Sequence, residues 1–293
     1  MKRLLLALTF LLAAPLGAAA QAFVRITAID ELTENADYVI GGKAQDTRPF
    51  YLLTATLEKG RFAGMAYASS APDELPADCG AALFRLVREG DRLVLHTAGG
   101  YVHAPKPKET AVSLTALQHT AWEVSVEQGQ FTLTSGGRCF SIYSESTQAR
   151  FGYYAPSSFE GPLCLYKREQ APESLTAYER FWEADGCETL CLPFACTVPQ
   201  PFTAYAVGEG SGDQPTYTPT TSLGAGQPAV IKGPKGLLFR VEAVGPPAAA
   251  PQPAYLTGTF RPLRLNQGRV LTDQGFEPVA EGCFLPAFRA YLK

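Results

Sequence analysis

The sequence predicts an all-β protein, and three observations support this fold class. Many short apolar runs, such as "DYVIGG" and "FYLLTATL", end at Gly, Pro or charged turn residues, which is typical of strands joined by turns. No long stretch beyond the leader repeats apolar residues at the helical spacing i, i+3, i+4. The third observation is an internal repeat of roughly 40 residues with several strands in each copy.

The repeat predicts how the first half of the chain folds. The segment "FRLVREGDRLVLHTAGGYV" at 84–102 aligns with "WEVSVEQGQFTLTSGGRCF" at 122–140, and Phe84 matches Trp122. A third copy is expected to start at Phe50. Such units predict a hairpin-built barrel or a β-trefoil-like domain, with Phe84 and Trp122 as equivalent core residues. The alternative is two unrelated hairpins that share glycines at their turns.

The chain divides into two predicted domains and a joint. Strand patterns run through 23–168, the predicted barrel or trefoil-like domain. Segment 169–186 lacks strand alternation and is mixed in charge, which predicts a linker that few contacts cross. We expect Phe181 and Trp182 to pack it onto a neighbouring surface. Short strands return over 187–293 and predict a β-sandwich.

Residues 1–22 predict a secretory signal peptide. Lys2 and Arg3 precede an apolar core at 4–12, and A-x-A cleavage signals follow near Gln21. The core is too short to span roughly 30 Å of hydrocarbon, and no later apolar segment reaches about 20 residues. We therefore expect an exported protein of the periplasm, cell surface or medium, with no transmembrane segment after processing.

The stretch "GCETLCLPFACTVP" places Cys187, Cys191 and Cys196 within ten residues. A strand rises about 3.3 Å per residue, which separates these cysteines by more than the roughly 7 Å that a disulfide allows between Cα atoms. The spacer is apolar and carries no histidine, so zinc is not predicted. We predict one strand in which Cys191 and Cys196 are small core residues.

The remaining cysteines leave disulfides open, because an odd total of seven leaves at least one thiol free or paired between chains. Cys283 is the candidate for a long-range partner. Cys139 and Cys164 lie in late strands of the first domain and could face each other. Cys79, in the loop "PADCG", is the candidate free thiol.

Two further groups of residues are candidates for ligand contact. His96 and His103 flank the turn "TAGGYV" and could approach each other across a hairpin, but a third metal ligand is missing. We predict neither a metal nor another cofactor. Aromatic residues near loops of the first domain could form a stacking surface for sugar rings, the alternative being core or rim packing: Tyr101, Tyr143, Tyr153, Tyr154 and Phe159.

The second domain resembles a known module. The order "TLCLPFACTVPQPFTAYAV", "LGAGQPAVIKG", "YLTGTFRPLRL" and "LPAFRAYLK" is similar to a C-terminal β-sandwich module of secreted and cell-surface proteins from Bacteroidetes-type bacteria. The stretches "ITAIDELTENADYVIGG" and "LCLYKRE" are similar to the partner module often found upstream. The resemblance covers most of the chain beyond the leader. It implies a two-module surface protein, and the family has no assigned catalytic residues to carry over.

These observations favour a secreted, non-enzymatic protein that binds a ligand or acts as a scaffold in the cell envelope or at the cell surface. A glycan or a surface protein is the expected partner. The net charge of −3 and the lack of a basic stripe argue against nucleic acid. The first alternative is a carbohydrate-binding protein that uses the aromatic loops of the first domain. The second is a hydrolase or inhibitor whose site assembles from distant residues.

The leader generates a first prediction. Cleavage at the A-x-A signals should leave a mature protein that begins near Gln21 or Phe23. N-terminal sequencing of protein purified from the native source measures this directly. Recovery of a chain that retains Met1 would contradict both the processing and the export.

Overall fold

The computed structural model describes residues 22–45, 47–104, 110–145, 148–156, 161–168, 174–210 and 214–293. The predicted signal peptide at 1–22 lies outside these residues except for its last position. The described chain is all-β apart from one 3-10 turn at Ile29–Glu31, as the sequence predicted.

The first half of the described chain forms fourteen strands: β1 Phe23–Arg25, β2 Asp37–Gly42, β3 Phe50–Glu58, β4 Arg61–Ala68, β5 Glu74–Leu75, β6 Phe84–Glu89, β7 Arg92–Thr97, β8 Gly100–His103, β9 Ser113–Thr115, β10 Ala121–Glu127, β11 Gln130–Ser135, β12 Arg138–Glu145, β13 Gln148–Tyr154 and β14 Leu163–Arg168. Strands β2, β6, β7, β10, β11 and β14 pair in turn and close an antiparallel barrel. The hairpins β3–β4, β8–β9 and β12–β13 attach to it. A six-stranded barrel with three hairpins is the β-trefoil arrangement, the second of the two predicted forms.

A longer closed path also exists in the same sheet. It leaves β2 through the hairpin β3–β4, crosses from β4 to β13, and returns through β12, β11, β10, β7 and β6 to β2. Nine antiparallel strands therefore form a closed ring that includes two of the three hairpins. Closure removes open sheet edges, which would otherwise offer unpaired N–H and C=O groups to another chain.

The internal repeat is reproduced in the strand register. Leu86 on β6 lies opposite Leu95 on β7, and Val124 on β10 lies opposite Leu133 on β11. These four residues occupy matching positions of the two aligned segments. Register is set by which side chains face the core, so identical registers show that the repeat is structural and not a coincidence of turn glycines.

The repeated aromatic residues fill the barrel core. Phe84 and Trp122 are completely buried and belong to the same apolar cluster, so the prediction that both are core residues is confirmed. The expected third copy at Phe50 was misplaced. Phe50 begins β3, whose hairpin with β4 corresponds to the attached hairpins β8–β9 and β12–β13. The third barrel pair is β14 with β2, which joins the two ends of this half of the chain.

The second half of the described chain forms another fourteen strands: β15 Ala177–Phe181, β16 Gly186–Leu190, β17 Cys196–Thr197, β18 Thr203–Gly208, β19 Thr216–Thr220, β20 Ser222–Leu223, β21 Ala229–Gly233, β22 Leu238–Glu242, β23 Thr257–Thr259, β24 Leu263–Leu265, β25 Arg269–Thr272, β26 Gly275–Pro278, β27 Cys283–Leu285 and β28 Arg289–Tyr291. Strands β16, β21, β18 and β19 form one sheet in that order. Its inner face packs with β22 and β15 around an apolar core, which gives the sandwich. Short ladders, β23–β28, β24–β27 and β25–β26, complete this half.

The segment at 169–186, predicted to be a linker, contains a strand. Strand β15 pairs antiparallel with β22 of the sandwich and parallel with β6 of the barrel. The expectation that few contacts cross this joint was therefore wrong. The sequence shows no strand signal here because the apolar residues Tyr178 and Phe181 and the charged residues Glu179 and Arg180 are all buried, which removes polar–apolar alternation. The packing expected of Phe181 and Trp182 is confirmed, since both are buried.

The three-cysteine stretch is not one continuous strand. Strand β16 ends at Leu190, and pairing resumes with the short β17. Between them the backbone bonds to other segments: Cys191 N–H donates to Phe288 O at 2.9 Å, and Leu192 O accepts from Gly226 N–H at 2.7 Å. Pro193 lacks the N–H that a central strand needs. The three cysteines are nevertheless free thiols, and Leu192 and Phe194 between them are buried.

The barrel core generates the second prediction. Trp122 lies 5.6 Å from Phe140 and 5.5 Å from Tyr153 between ring centroids. Trp122→Ala removes this packing and should lower the free energy of unfolding by about 3–5 kcal/mol. Urea denaturation followed by circular dichroism measures the loss. Leu117→Ala is the control, because Leu117 is 68% exposed and its truncation should change stability little. Equal stabilities of the two variants would contradict the assigned core.

Candidate functional site

The aromatic residues predicted to contact a ligand do not form an exposed surface. Tyr101, Tyr153 and Tyr154 are buried. Tyr143 is half-buried and stacks on Tyr154 with ring centroids 5.7 Å apart. Phe159 lies outside the described residues. The prediction of a stacking surface in the barrel is therefore corrected for the four described tyrosines. Tyr153 packs into the barrel core beside Trp122, whereas Tyr154 packs against Tyr143.

The two histidines of the "TAGGYV" turn are directed to different partners. His96 Nδ1 lies 3.2 Å from Glu179 Oε2, whereas His103 Nδ1 lies 3.2 Å from the backbone oxygen of His119. The described residues contain no group of three His, Cys, Asp or Glu side chains placed to hold a metal ion. Sequence reasoning missed His119, whose ring lies 3.9 Å from that of Phe181.

All seven cysteines are free thiols in the structure. Cys191 and Cys196 are buried in the sandwich core, as predicted, and burial raises the pKa of Cys191 to about 12 and that of Cys196 to about 11. Cys79 is not exposed: it shares an apolar cluster with Cys164, and Cys139 is not part of that cluster. The exposed thiol is Cys187.

The joint between barrel and sandwich contains four alternating charges. Arg180 Nη1 lies 3.4 Å from Glu34 Oε2, and Arg180 Nε lies 2.5 Å from Glu188 Oε2. Arg289 closes the ring at 3.6 Å from Glu34 and 3.1 Å from Glu188. Glu34 comes from the barrel and the other three from β15, β16 and β28. These four residues, the ionic ring, are mutually neutralised, as burial of charges requires.

The barrel also holds the backbone of β15. The Asn35 side chain donates from Nδ2 to Glu179 O at 3.0 Å and accepts from Glu179 N–H at 2.8 Å. The amide thus occupies the position of a neighbouring strand. Asn35 itself has a φ of 63°, a conformation that asparagine tolerates better than most residues. The conformation of the turn before β2 therefore places the Asn35 side chain where it can bond to the backbone of β15.

The side chain of Glu179 is enclosed by donors. Tyr101 donates to Glu179 Oε2 at 2.9 Å, His96 lies beside the same oxygen, and Arg240 Nε lies 3.3 Å from Oε1. Burial alone would raise the pKa of Glu179, but the hydrogen bond and charge of His96, the Tyr101 hydroxyl and Arg240 outweigh it, so this pKa is lowered. Burial and the adjacent Glu179 raise the pKa of Tyr101.

A groove opens on the outer face of the four-stranded sheet. Cys187 lies opposite Lys232 in the ladder, and Tyr205 lies opposite Val230. Because paired residues share a face, these side chains all point away from the sandwich core. Tyr217, on the edge strand β19, lies on the same face opposite Val207. The hairpin β25–β26 covers part of this face and leaves the rest open.

The groove has aromatic, apolar and polar walls. Its volume is about 560 Å³, and its lining comprises Asp185, Gly186, Cys187, Tyr205, Tyr217, Val230, Lys232, Leu271, Thr272, Asp273 and Gly275. The Tyr205 and Tyr217 rings meet at 89° with centroids 6.4 Å apart. Tyr217 is 45% exposed. This combination of apolar wall and a few convergent polar groups is typical of ligand sites.

Two charged side chains of the groove have no bonding partner among the described residues. In the described part of the chain, Lys232 and Asp273 make no side-chain hydrogen bond or ion pair. Asp185 uses Oδ1 to accept from Lys235 N–H at 2.8 Å. Sequence reasoning missed this site because its residues come from five separate segments. The sequence signal that could have indicated this site is "TYTPT". Here Tyr217 alternates with threonines and is exposed.

Comparison with known proteins gives no match: neither family models nor curated proteins nor solved structures resemble the chain significantly. The described residues also contain no helix of the length and apolar character needed to cross a membrane. The candidate site is therefore interpreted from its own geometry.

The ionic ring generates the third prediction. Burial opposes ionisation of Glu188, but Arg289 and Arg180 outweigh burial and lower its pKa. Because the folded-state pKa lies below the unfolded value of about 4.3, this carboxylate stabilises the fold above that pH, and its contribution is lost as the pH falls through the lower pKa. Stability should therefore decrease as the pH falls below about 4.3.

Urea denaturation at a series of pH values measures this decrease. Glu188→Gln should be less stable than the parent at pH 7 and should lose less stability on acidification. Glu242→Gln is the matched control, because the Glu242 side chain is 76% exposed. Parallel pH curves for the parent and Glu188→Gln would contradict a stabilising role of this carboxylate in the ring.

Proposed function

We propose that this protein is an exported, non-enzymatic binding protein of the cell envelope or cell surface and that it contacts its ligand in the groove of the sandwich. The observation that carries the proposal is the exposed Tyr217 ring beside Lys232 and Asp273, polar groups that bond to no described residue. An exposed aromatic ring next to exposed charged groups that no described side chain pairs with offers both contact area and orientation to a ligand.

The chemistry of the groove favours binding over catalysis. A covalent mechanism needs an activated nucleophile with a base beside it. Cys187 is the strongest nucleophile of the lining. Although this residue is exposed overall, partial desolvation of its thiol raises its pKa despite the opposing charge of Lys232, which keeps the thiol protonated near neutral pH. The three histidines belong to the barrel half of the chain, so the groove has no imidazole base.

The joint suits a scaffold role for the same protein. Strand β15 hydrogen-bonds to both halves, and the ionic ring crosses between them. A ligand held in the groove would thus be fixed in position relative to the barrel. The leader and the resemblance to a secreted two-module family support the proposed location.

The fourth prediction tests binding. Mature protein beginning at Phe23 should sediment with isolated cell envelopes of the producing organism. Tyr217→Ala should weaken this association by about tenfold or more, the size expected when a stacking aromatic anchor is removed. Tyr67→Ala is the matched control, since Tyr67 is a comparably exposed tyrosine on the barrel strand β4.

Two outcomes would overturn the proposal. Parent protein that stays in the supernatant has no envelope ligand, and Tyr217→Ala protein that sediments like the parent places the contact elsewhere. Turnover of substrates in a broad hydrolase screen, abolished by Asp273→Asn, would instead assign catalysis to the groove.

A further inference from the structure

We infer that the groove binds one pyranose unit of a neutral glycan, stacked on Tyr217 and held by Asp273 and Lys232. This inference rests on the proposed function and names the ligand class of the same site. It also moves the carbohydrate contact from the barrel, where the predicted aromatic residues are buried, to the sandwich.

The walls of the groove match the two surfaces of a sugar ring. A pyranose has an apolar face of C–H groups and a rim of hydroxyl groups. Tyr217 presents a partly exposed ring, and Tyr205 stands at 89° to it, so the two rings form a corner. Val230 and Leu271 add apolar lining. A flat C–H face fits against an aromatic ring, and the hydroxyl rim then reaches the polar wall.

The polar wall requires a ligand that both donates and accepts hydrogen bonds. The carboxylates of Asp185 and Asp273 accept, while the Lys232 ammonium donates. Sugar hydroxyls satisfy both kinds of group at adjacent carbons. The groove also carries both signs of charge, so a phosphate or sulfate would meet two carboxylates and a cationic ligand would meet Lys232. A neutral polyhydroxyl ligand meets no charge repulsion in the groove.

A proline-rich peptide is the main rival for a tyrosine-lined groove. Such a peptide offers many carbonyl acceptors and few N–H donors, because proline has none. Opposite Asp185 and Asp273 its carbonyl groups would face acceptors. The perpendicular tyrosine rings also form a corner and not a row of parallel ridges. The observed groups therefore favour the sugar.

The groove is preformed, which lowers the ordering cost of binding. Thr272 Oγ1 donates to Gly275 O at 3.0 Å and fixes the turn of the hairpin β25–β26. Gly275 has a φ of 106°, which favours glycine at this turn. On the opposite wall, Asp185 is fastened to the backbone of Lys235. Both walls thus hold their shape without a ligand.

The fifth prediction tests the sugar directly. Full-length mature protein is applied to an array of neutral, amino and acidic glycans, and positive neutral glycans are titrated by isothermal calorimetry. Trp182 provides a second readout, since its Nε1–H donates to O of the groove residue Gly186 at 3.4 Å. We expect a neutral glycan to bind and to change tryptophan fluorescence. Tyr217→Ala and Asp273→Asn should each weaken binding about tenfold or more, and Tyr67→Ala should not.

The controls separate the outcomes. Circular dichroism and urea denaturation must show that the variants keep the parent fold. Tyr217→Phe retains the ring and should retain most of the affinity. Envelope binding that depends on Tyr217, with every array glycan negative, would overturn the sugar and leave the proposed function standing; binding of a decaproline peptide in competition with envelopes would assign the groove to a peptide. Absence of both envelope and glycan binding would overturn both proposals.

Discussion

The buried ionic ring of Glu34, Arg180, Glu188 and Arg289 is the constraint on which the arrangement of this molecule depends. Removing charges from water is costly unless each finds opposite charge at short range. Here the charges alternate around the ring, and one of them, Glu34, comes from the barrel while the others come from the sandwich. Barrel and sandwich must therefore meet in one orientation, because any sliding of the joint would leave a buried charge without its partner.

Strand alternation connects this ring to the candidate site. Successive side chains of a strand point to opposite faces, so on β16 Glu188 is directed to the ionic ring and its neighbour Cys187 to the groove. Asp185 and Gly186 of the groove lie just before them, and the buried Trp182 lies three residues before Asp185. The nine residues from Arg180 to Glu188 thus contribute to both the joint and the ligand surface. Because both residues belong to β16, the position of Glu188 in the ionic ring also fixes the position of Cys187 in the groove.

The sequence predicted the fold class well and the joint poorly, for physical reasons. Barrel residues such as Phe84 and Trp122 recur in a repeat, and repetition makes an apolar position recognisable. The strand β15 was not recognised because Glu179 and Arg180 are charged yet buried, and Glu34, which pairs with Arg180, lies 146 residues away in the sequence. The groove was missed for a related reason: Tyr217 and Asp273 line one groove only through the packing of distant strands of separate sheets, and no local spacing encodes that.

The ring also explains why a strand occupies the joint at all. In an isolated barrel, Glu34 would lack both arginines. In an isolated sandwich, Arg180 and Arg289 would share Glu188 alone, leaving an excess positive charge in a site shielded from solvent. Each half is therefore least stable without the other, and pairing β15 to both β6 and β22 brings the charges together while it satisfies the backbone. Strand β15 therefore belongs to both halves of the fold, and its pairing fixes the position of the groove relative to the barrel.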